Sequence, residues 1–365
     1  MRFLFMIITM LVVVAGASFY VFYRLWYMIP PSTISRTILI CATVFLVVSP
    51  FISLGFGTRL PFPVTSFLYQ VGTSWLIIMI YVVIIFVVLD LVRITGLLPL
   101  KQYMFNSWTG FCVLFLIVAA LMTYGNINYH NKKRVELTVK SEKNIEKPLK
   151  IVVISDLHLG YGIKTKEFSK WVKLINKEEP DIVLIAGDAI DNSLKPLYDR
   201  NFTDIFGEII SKHGIFIAPG NHEYISHIDE SIDFLIKAGV VVLRDSAILV
   251  DNACYILGRD DRSNSNRKSI AELTDTLDKT KPIILIDHQP YHFEEVEENN
   301  IDLYIAGHTH AGQTFPITLI TKAMYELSYG YLKKGNTHFY VTSGIGIWGG
   351  KFRIGSKSEY VVINF

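Results

Sequence analysis

The chain has 365 residues, room for about two domains, and its formal net charge of +2 conceals a sharp division. Of its 35 Lys+Arg and 33 Asp+Glu, residues 1–130 hold only Arg2, Arg24, Arg36, Arg59, Arg93, Lys101 and Asp90, which leaves 29 and 32 beyond them. A C-terminal part at about −3, His taken as neutral, excludes general nucleic-acid binding, which needs a basic surface to displace counterions.

Four uncharged stretches reach the ~20 apolar residues that a bilayer span needs. They are 3–23, 37–58, 60–89 and 102–131, the helices within the last two being expected to be shorter than the stretches, and Pro30, Pro31, Pro61, Pro63 and Pro99 mark the turns between them. Ala15, Gly16 and Ala17 also resemble a signal-peptide cleavage site, but three more spans follow. Residues 1–130 are therefore expected to form an α-helical four-span membrane domain. An even number of spans places both flanks on one side. Arg2, Arg59, Lys132, Lys133 and Arg134 fall on that side, against Arg24, Arg36, Arg93 and Lys101 on the other. The positive-inside rule then puts the C-terminal part in the cytoplasm, at a plasma or inner membrane. Asp90 and Arg93 suit an i,i+3 pair closing the third span. Of the three cysteines, Cys41 and Cys112 lie in apolar spans and Cys254 stands alone, so no disulfide framework is expected.

A polar, basic linker is expected at 131–148, with an edge strand at 135–139, before a second domain at 149–365. IVVISDLHLG (151–160) reads as a buried strand running into a loop with Asp156 and His158. A helix at 166–178 places Phe168, Trp171, Val172, Leu174 and Ile175 on one face and stops before Pro180. DIVLIAGDAID (181–191) repeats the strand-to-loop design and carries Asp188; GIFIAPGNHE (214–223) ends in Asn221 and His222. Helices are expected at 199–213 and 229–238, then short strands at 240–243, 247–250 and 254–257. After a helix at 269–279, PIILIDHQP (282–290) carries His288; after another at 292–299, IDLYIAGHTHAGQ (301–313) carries His308 and His310. Strands at 338–341 and 360–364 close the chain. Strand–helix alternation followed by closely spaced strands indicates an α/β class, a layered sandwich on mixed sheets. In such folds the C-terminal ends of the strands share one crevice, where ligands bind.

Carboxylate, amide and imidazole ligands without thiolates suit Mn, Fe or Zn rather than a Cys-type structural zinc site. One carboxylate can bridge two ions. Two ions ~3.5–4 Å apart clamp a phosphoryl group and acidify water. His130, His213, His227, His292 and His338 lack such a setting and read as ordinary surface or core groups. Gly160, Gly187, Gly220 and Gly307 would let backbone pack closely around ions or take positive φ.

D-x-H, GD, GNHE, a lone His after a strand, and GHTH, in that order, resemble the calcineurin-like metallophosphoesterase family over about 149–365. The membrane half and SGIGIWGGKFRIGS (343–356) are more similar to its bacterial membrane-associated branch, whose members act on phosphodiesters or lipid-linked pyrophosphates. The resemblance implies a four-layer α/β/β/α sandwich and two divalent ions. It implies one ion on Asp156, His158 and His310, a bridging Asp188, and a second ion on Asn221, His288 and His308. His222 would stabilise the transition state or protonate the leaving oxygen, work suited to a group whose pKa lies near neutrality.

Three features bear on the substrate. The spans place the site near lipid. The apolar, aromatic stretch 315–332 reads either as a flap or as a segment dipping into the interface. Arg259, Asp260, Asp261 and Arg262 read either as a solvated turn or as a source of guanidinium for phosphate. Asp287, beside His288, either orients an imidazole or caps a turn. The expected activity is hydrolysis of a phosphodiester or pyrophosphate in a phospholipid or lipid-linked nucleotide, such as UDP-diacylglucosamine. The alternative is a non-catalytic membrane sensor or scaffold that uses the same fold as a binding module.

Overall fold

The computed structural model describes residues 2–143 and 147–365, with backbone alone for 2–7 and Met10. Positions 144–146 of the expected linker lie outside the described residues. Two compact units divide the chain: Met1–Ile127 with Gly349–Phe352, and Asn128–Trp348 with Arg353–Phe365.

In the first unit the apolar runs form helices Arg2–Met28, Thr33–Phe56, Phe62–Thr95 and Trp108–His130. All four are long and apolar enough to cross a membrane. Ser32 caps the second helix through a reciprocal bond with Ser35, and Gly96, at φ 70°, ends the third. The helix within 102–131 is shorter than the stretch, as expected, whereas the third helix runs 34 residues and passes the charged Asp90 and Arg93 that end the stretch 60–89. Lys101–Met104 is a separate turn of helix, and the extended backbone of Phe105 breaks the run. Asp90 meets Arg93 at 3.5 Å as the spacing predicts. It is also paired with Arg24 from the first helix, and Tyr20 donates to it at 3.2 Å. That partner was invisible to a local spacing rule.

Among the described residues the second unit has twelve strands. β1 (Lys133–Thr138), β2 (Lys150–Ile154), β3 (Ile182–Ala186), β4 (Ile215–Ala218) and β5 (Val241–Val242) come first. β6 (Ser246–Val250), β7 (Cys254–Gly258), β8 (Ile283–Ile286), β9 (Leu303–Ala306), β10 (Gly330–Lys334) and β11 (Thr337–Val341) follow, and β12 (Glu359–Asn364) ends the chain. They make two six-stranded mixed sheets, ordered β1-β12-β2-β3-β4-β5 and β10-β11-β9-β8-β7-β6. β2 to β5 run parallel, as do β7, β8, β9 and β11.

Period-2 side-chain alternation explains the layering. Ile151 and Val153 of β2 pack into a core shared with Ile256, Ile284 and Ile305 of the other sheet. Val152 and Ile154 point the opposite way, onto Phe168, Trp171, Val172 and Ile175 of helix Thr165–Lys177 and onto Phe234 of helix Ile228–Lys237. On the far side, Leu257, Leu285 and Phe339 pack against Ile270, Phe293 and Val296 from helices Ile270–Thr274 and Phe293–Glu298. Helix, sheet, sheet, helix: the second unit is a four-layer α/β/β/α sandwich. Because both faces of each sheet are covered, its strands read as nearly unbroken Val/Ile/Leu runs.

Some elements differ from the sequence pattern. The helix expected at 199–213 is two short ones, Lys195–Asp199 and Phe202–Gly207, split where Asn201 adopts φ 52°. The stretch 315–332 holds helix Ile317–Met324 and the start of β10, neither expected. β1, paired with β12, begins two residues before the strand pattern.

Candidate metal centre

Five strand ends supply the site: the loops after β2, β3, β4, β8 and β9 carry Asp156 and His158, Asp188, Asn221 and His222, His288, and His308 and His310. The backbone bends sharply there. Asp156, His158, Asp188, His308 and His310 all have φ between 45° and 69°, a region that non-glycine residues occupy at a cost of about 1–3 kcal/mol each. Such concentrated strain belongs to a site whose side-chain directions matter more than local comfort.

The donors converge. Asp156, His158 and His310 offer atoms within 4.8 Å of one another, and so do Asp188, His288 and His308. His158 Nε2 and His310 Nε2 lie 3.2 Å apart, with Asp156 Oδ1 3.5 Å from His310 Nε2. Asp188 Oδ2 stands between the two groups, 3.1 Å from His288 Nε2 and 3.9 Å from His158 Nε2. Asn221 Oδ1 is 2.9 Å from His308 Nδ1 and 3.2 Å from His288 Nε2. His288 Nδ1 donates to the Ala186 carbonyl at 2.7 Å, which aims its Nε2 at Asp188 and Asn221. All seven side chains expected to hold metal are thus brought together.

Electrostatics favour a cation. Burial, with His288 nearby, pushes His308 down to about 4; burial and His158 push His310 well below the ordinary range. Both imidazoles keep a lone pair at neutral pH. Burial opposes ionisation of Asp188, yet His288 and His222 outweigh it and hold the carboxyl well below its usual value. His288 is the exception: burial opposes its charge, but Asp188 and Asp156 raise its pKa well above the ordinary range. Neutral His308 and His310, the Asp188 carboxylate and the Asn221 amide oxygen fit divalent metal, whose binding would displace the His288 proton. The backbone leaves room only for these groups. A Cβ on Gly220 would lie 2.2 Å from Asp188 Oδ1, and one on Gly307 2.6 Å from Asp156 Oδ2.

His222 sits beside this set. Its Nδ1 donates to the Asp191 carbonyl at 3.0 Å, with Asp191 Oδ1 at 3.4 Å, and its ring meets His158 edge-on at 4.5 Å between centroids. Burial disfavours its charge, but Asp188 and Asp191 raise its pKa to about 9.

Three participants escaped the sequence reading. Asp191, buried, lies between His222 and His158. Glu223, fully buried, accepts from the backbone N–H groups of Gly220 (2.7 Å), Asp188 (3.0 Å) and Ile190 (3.0 Å), so it ties the β3 loop to the β4 loop. The final residue of GNHE was the signal available. Arg353, also fully buried, donates to the carbonyls of His310 (2.5 Å), Ser343 (2.6 Å) and Gly346 (3.0 Å). Asp287 neither orients an imidazole nor caps a turn: it pairs with Arg267 at 3.2 Å and Arg259 at 3.6 Å. Arg259 is further engaged by Glu295 and the Lys268 carbonyl, whereas Arg262 is exposed and stacks 4.2 Å over Tyr291. The five histidines set aside as ordinary join no candidate metal group among the described residues.

Residues 149–312 match the sequence model of the calcineurin-like phosphoesterases. An uncharacterized metallophosphoesterase of Campylobacter jejuni is 32% identical over 255 residues, 68% of each chain. Another, from Helicobacter pylori, is 34% identical over 221 residues, 59% of each chain. A transmembrane protein with metallophosphoesterase domain of Danio rerio is 29% identical over 273 residues, 70% of this chain and 62% of its own. Among solved structures, a 5′-nucleotidase precursor from Thermus thermophilus aligns with 60% of this chain and 55% of its own, at 14% identity and a TM-score of 0.37. The chain belongs to the calcineurin-like metallophosphoesterases, and its second unit is a metal-dependent phosphoesterase domain carried by a chain with four bilayer-length apolar helices.

Proposed function

We propose that the chain is a membrane-anchored, two-metal phosphohydrolase that cleaves a phosphodiester or pyrophosphate in a lipid or lipid-linked substrate. The observation that carries this reading is the position of Asp188 Oδ2 between two groups of donors, each large enough for its own ion. Asp156, His158 and His310 would hold one ion, Asn221, His288 and His308 the other, and Asp188 both. When bound, the pair supplies Lewis acidity, drawing charge from phosphoryl oxygens and acidifying water. Manganese, iron and zinc all match the donor set.

The chain's own residues do the rest. Asp191 fixes the His222 ring through Nδ1, which leaves Nε2 to protonate the departing oxygen. Glu223 holds the loops of Asp188 and Asn221 in register. Arg353 clamps the His310 loop from behind through the His310 carbonyl. Lipid preference rests on the anchor. Only Asn131 and Lys132 separate helix Trp108–His130 from β1, so the domain's edge strand starts within ~10 Å of chain from the last apolar helix.

The test is hydrolysis by the purified full-length protein in lipid nanodiscs. Chelation should abolish turnover of bis(p-nitrophenyl) phosphate and of lipid pyrophosphates, and Mn²⁺ should restore it. Asp188→Asn should lower bound metal from two ions per chain and remove activity while leaving the circular dichroism intact. Activity on soluble diesters with none on any lipid would sink the lipid part; full activity of Asp188→Asn would sink the whole.

A further inference from the structure

Helix Ile317–Met324 is turned inside out. Leu319, Ile320 and Met324 are 58%, 56% and 65% exposed, and Phe315 just before it is 48% exposed. Positions 316, 320, 323 and 324, with 319 beside them, form one helical stripe. The buried residue of the helix is polar instead: Thr321, 8% exposed, bonds back to the carbonyl of Ile317, which with Thr318 is half-buried, at 3.0 Å. Single exposed apolar residues are common on soluble proteins, but three large ones on one stripe of a short helix, with threonine inward, are not. In water this arrangement loses burial of three large side chains. It is stable where the surroundings of the outer face are themselves apolar.

The helix is also fixed in place. A Cβ on Gly312 would lie 2.5 Å from Thr318 Cα, so helix and loop backbones touch. That loop carries His308 and His310 a few residues earlier. The Thr318 N–H donates to the Thr314 carbonyl at 3.2 Å, which extends the helical bonding back into the loop. Whatever the apolar stripe touches is therefore held beside the metal-ligand segment.

We propose that the outer face of this helix inserts into the headgroup–acyl boundary of the bilayer that carries the chain. The occupant follows from the tether: four bilayer-length helices and a two-residue link to β1 keep the domain at a lipid surface at all times. Lys322, exposed on the same helix, suits anionic headgroups at the rim of such a contact. This surface is independent of which ester is cleaved. It would bring the His308 and His310 loop to lipid depth and let an amphiphile reach the site without leaving the membrane.

The experiment uses the full chain with Cys41, Cys112 and Cys254 replaced by Ala and one new cysteine, at Leu319→Cys, Ile320→Cys or Met324→Cys. Each is labelled with the fluorophore NBD and reconstituted in phosphatidylcholine–phosphatidylglycerol vesicles. Ile236→Cys, at a position 58% exposed in helix Ile228–Lys237, is the control. An unchanged thermal transition certifies each variant as folded. Insertion gives blue-shifted emission and at least twofold quenching by doxyl-labelled lipid at 319, 320 and 324, and neither at 236. Spectra at the three sites equal to the control overturn the proposal. So does a blue shift without lipid quenching, whether or not the cysteines cross-link between two copies, because the stripe is then covered by protein. Because the readout is spectroscopic, loss of the lipid-substrate reading would leave this result unchanged, and the reverse holds too.

Discussion

The His222 ring is anchored through one nitrogen, with the Asp191 carbonyl and carboxylate both within 3.4 Å of Nδ1. His222 shares a third group of donors with His158 and Asp191, but neither of the two groups flanking Asp188 needs it, and a ring fixed on one side suits proton transfer rather than metal retention. His222→Asn should lower kcat by 10²–10⁴-fold while bound metal, measured by plasma mass spectrometry, stays the same. If metal falls in step with activity, His222 is a ligand. The buried neighbours tell a complementary story. Glu223 satisfies three backbone donors at once, and a side chain that cannot accept would strand them in the interior.

At the scale of single elements, the strand-end loops depend on missing side chains as much as on those present. Gly220 packs against Asp188, and a methyl group there must displace the carboxylate. Gly220→Ala should therefore abolish turnover, read with a soluble diester, and shift Tm far less than a core truncation would. The outer edge of the first sheet depends on charge. Glu178, at the end of helix Thr165–Lys177, receives Arg134 of β1 at 2.9 Å and 3.0 Å and Tyr360 of β12 at 3.1 Å. The Arg134 bonds hold its carboxyl below the usual range. Its ionised form is thus favoured on folding. The stabilisation is complete above the unfolded value of about 4.3 and is lost as pH falls through the lower folded one. Glu178→Gln should cost about 1 kcal/mol at pH 7, discounted because Arg134 is 41% exposed. The difference between variant and parent in thermal unfolding should shrink steadily as pH falls below about 4.

For the whole molecule, membrane sidedness is a matter of counting charges. Arg2, Arg59, Lys132, Lys133 and Arg134 outnumber Arg24, Arg36, Arg93 and Lys101 by one, and a four-span topology would keep the phosphoesterase unit on the richer side. Fusion of a fluorescent protein after Phe365 should glow in bacterial cells, and a periplasm-dependent alkaline phosphatase at the same position should stay inactive. The opposite pair of results would place the phosphoesterase outside.

Much of the candidate site was readable along the chain because each candidate ligand follows a buried apolar run, so hydropathy and a few residues of context mark it. Asp156, His158, Asp188, Asn221, His288, His308 and His310 were marked as candidates in that way, and the fold brings them together; the sandwich class and the four apolar helices were legible too. What only the folded chain decided were the relations that have no local signature. Arg353 reaches the His310 carbonyl from 43 residues away. Arg24 meets Asp90 from another helix, and Asp287 takes two arginines instead of an imidazole. The outward turn of Leu319 and Ile320 belongs to the same class, since a sequence states which residues are apolar but not which side of a short helix faces the core. Hydrophobic pattern and strand-end chemistry act over a few residues; pairing across a packed interior depends on where distant segments come to rest.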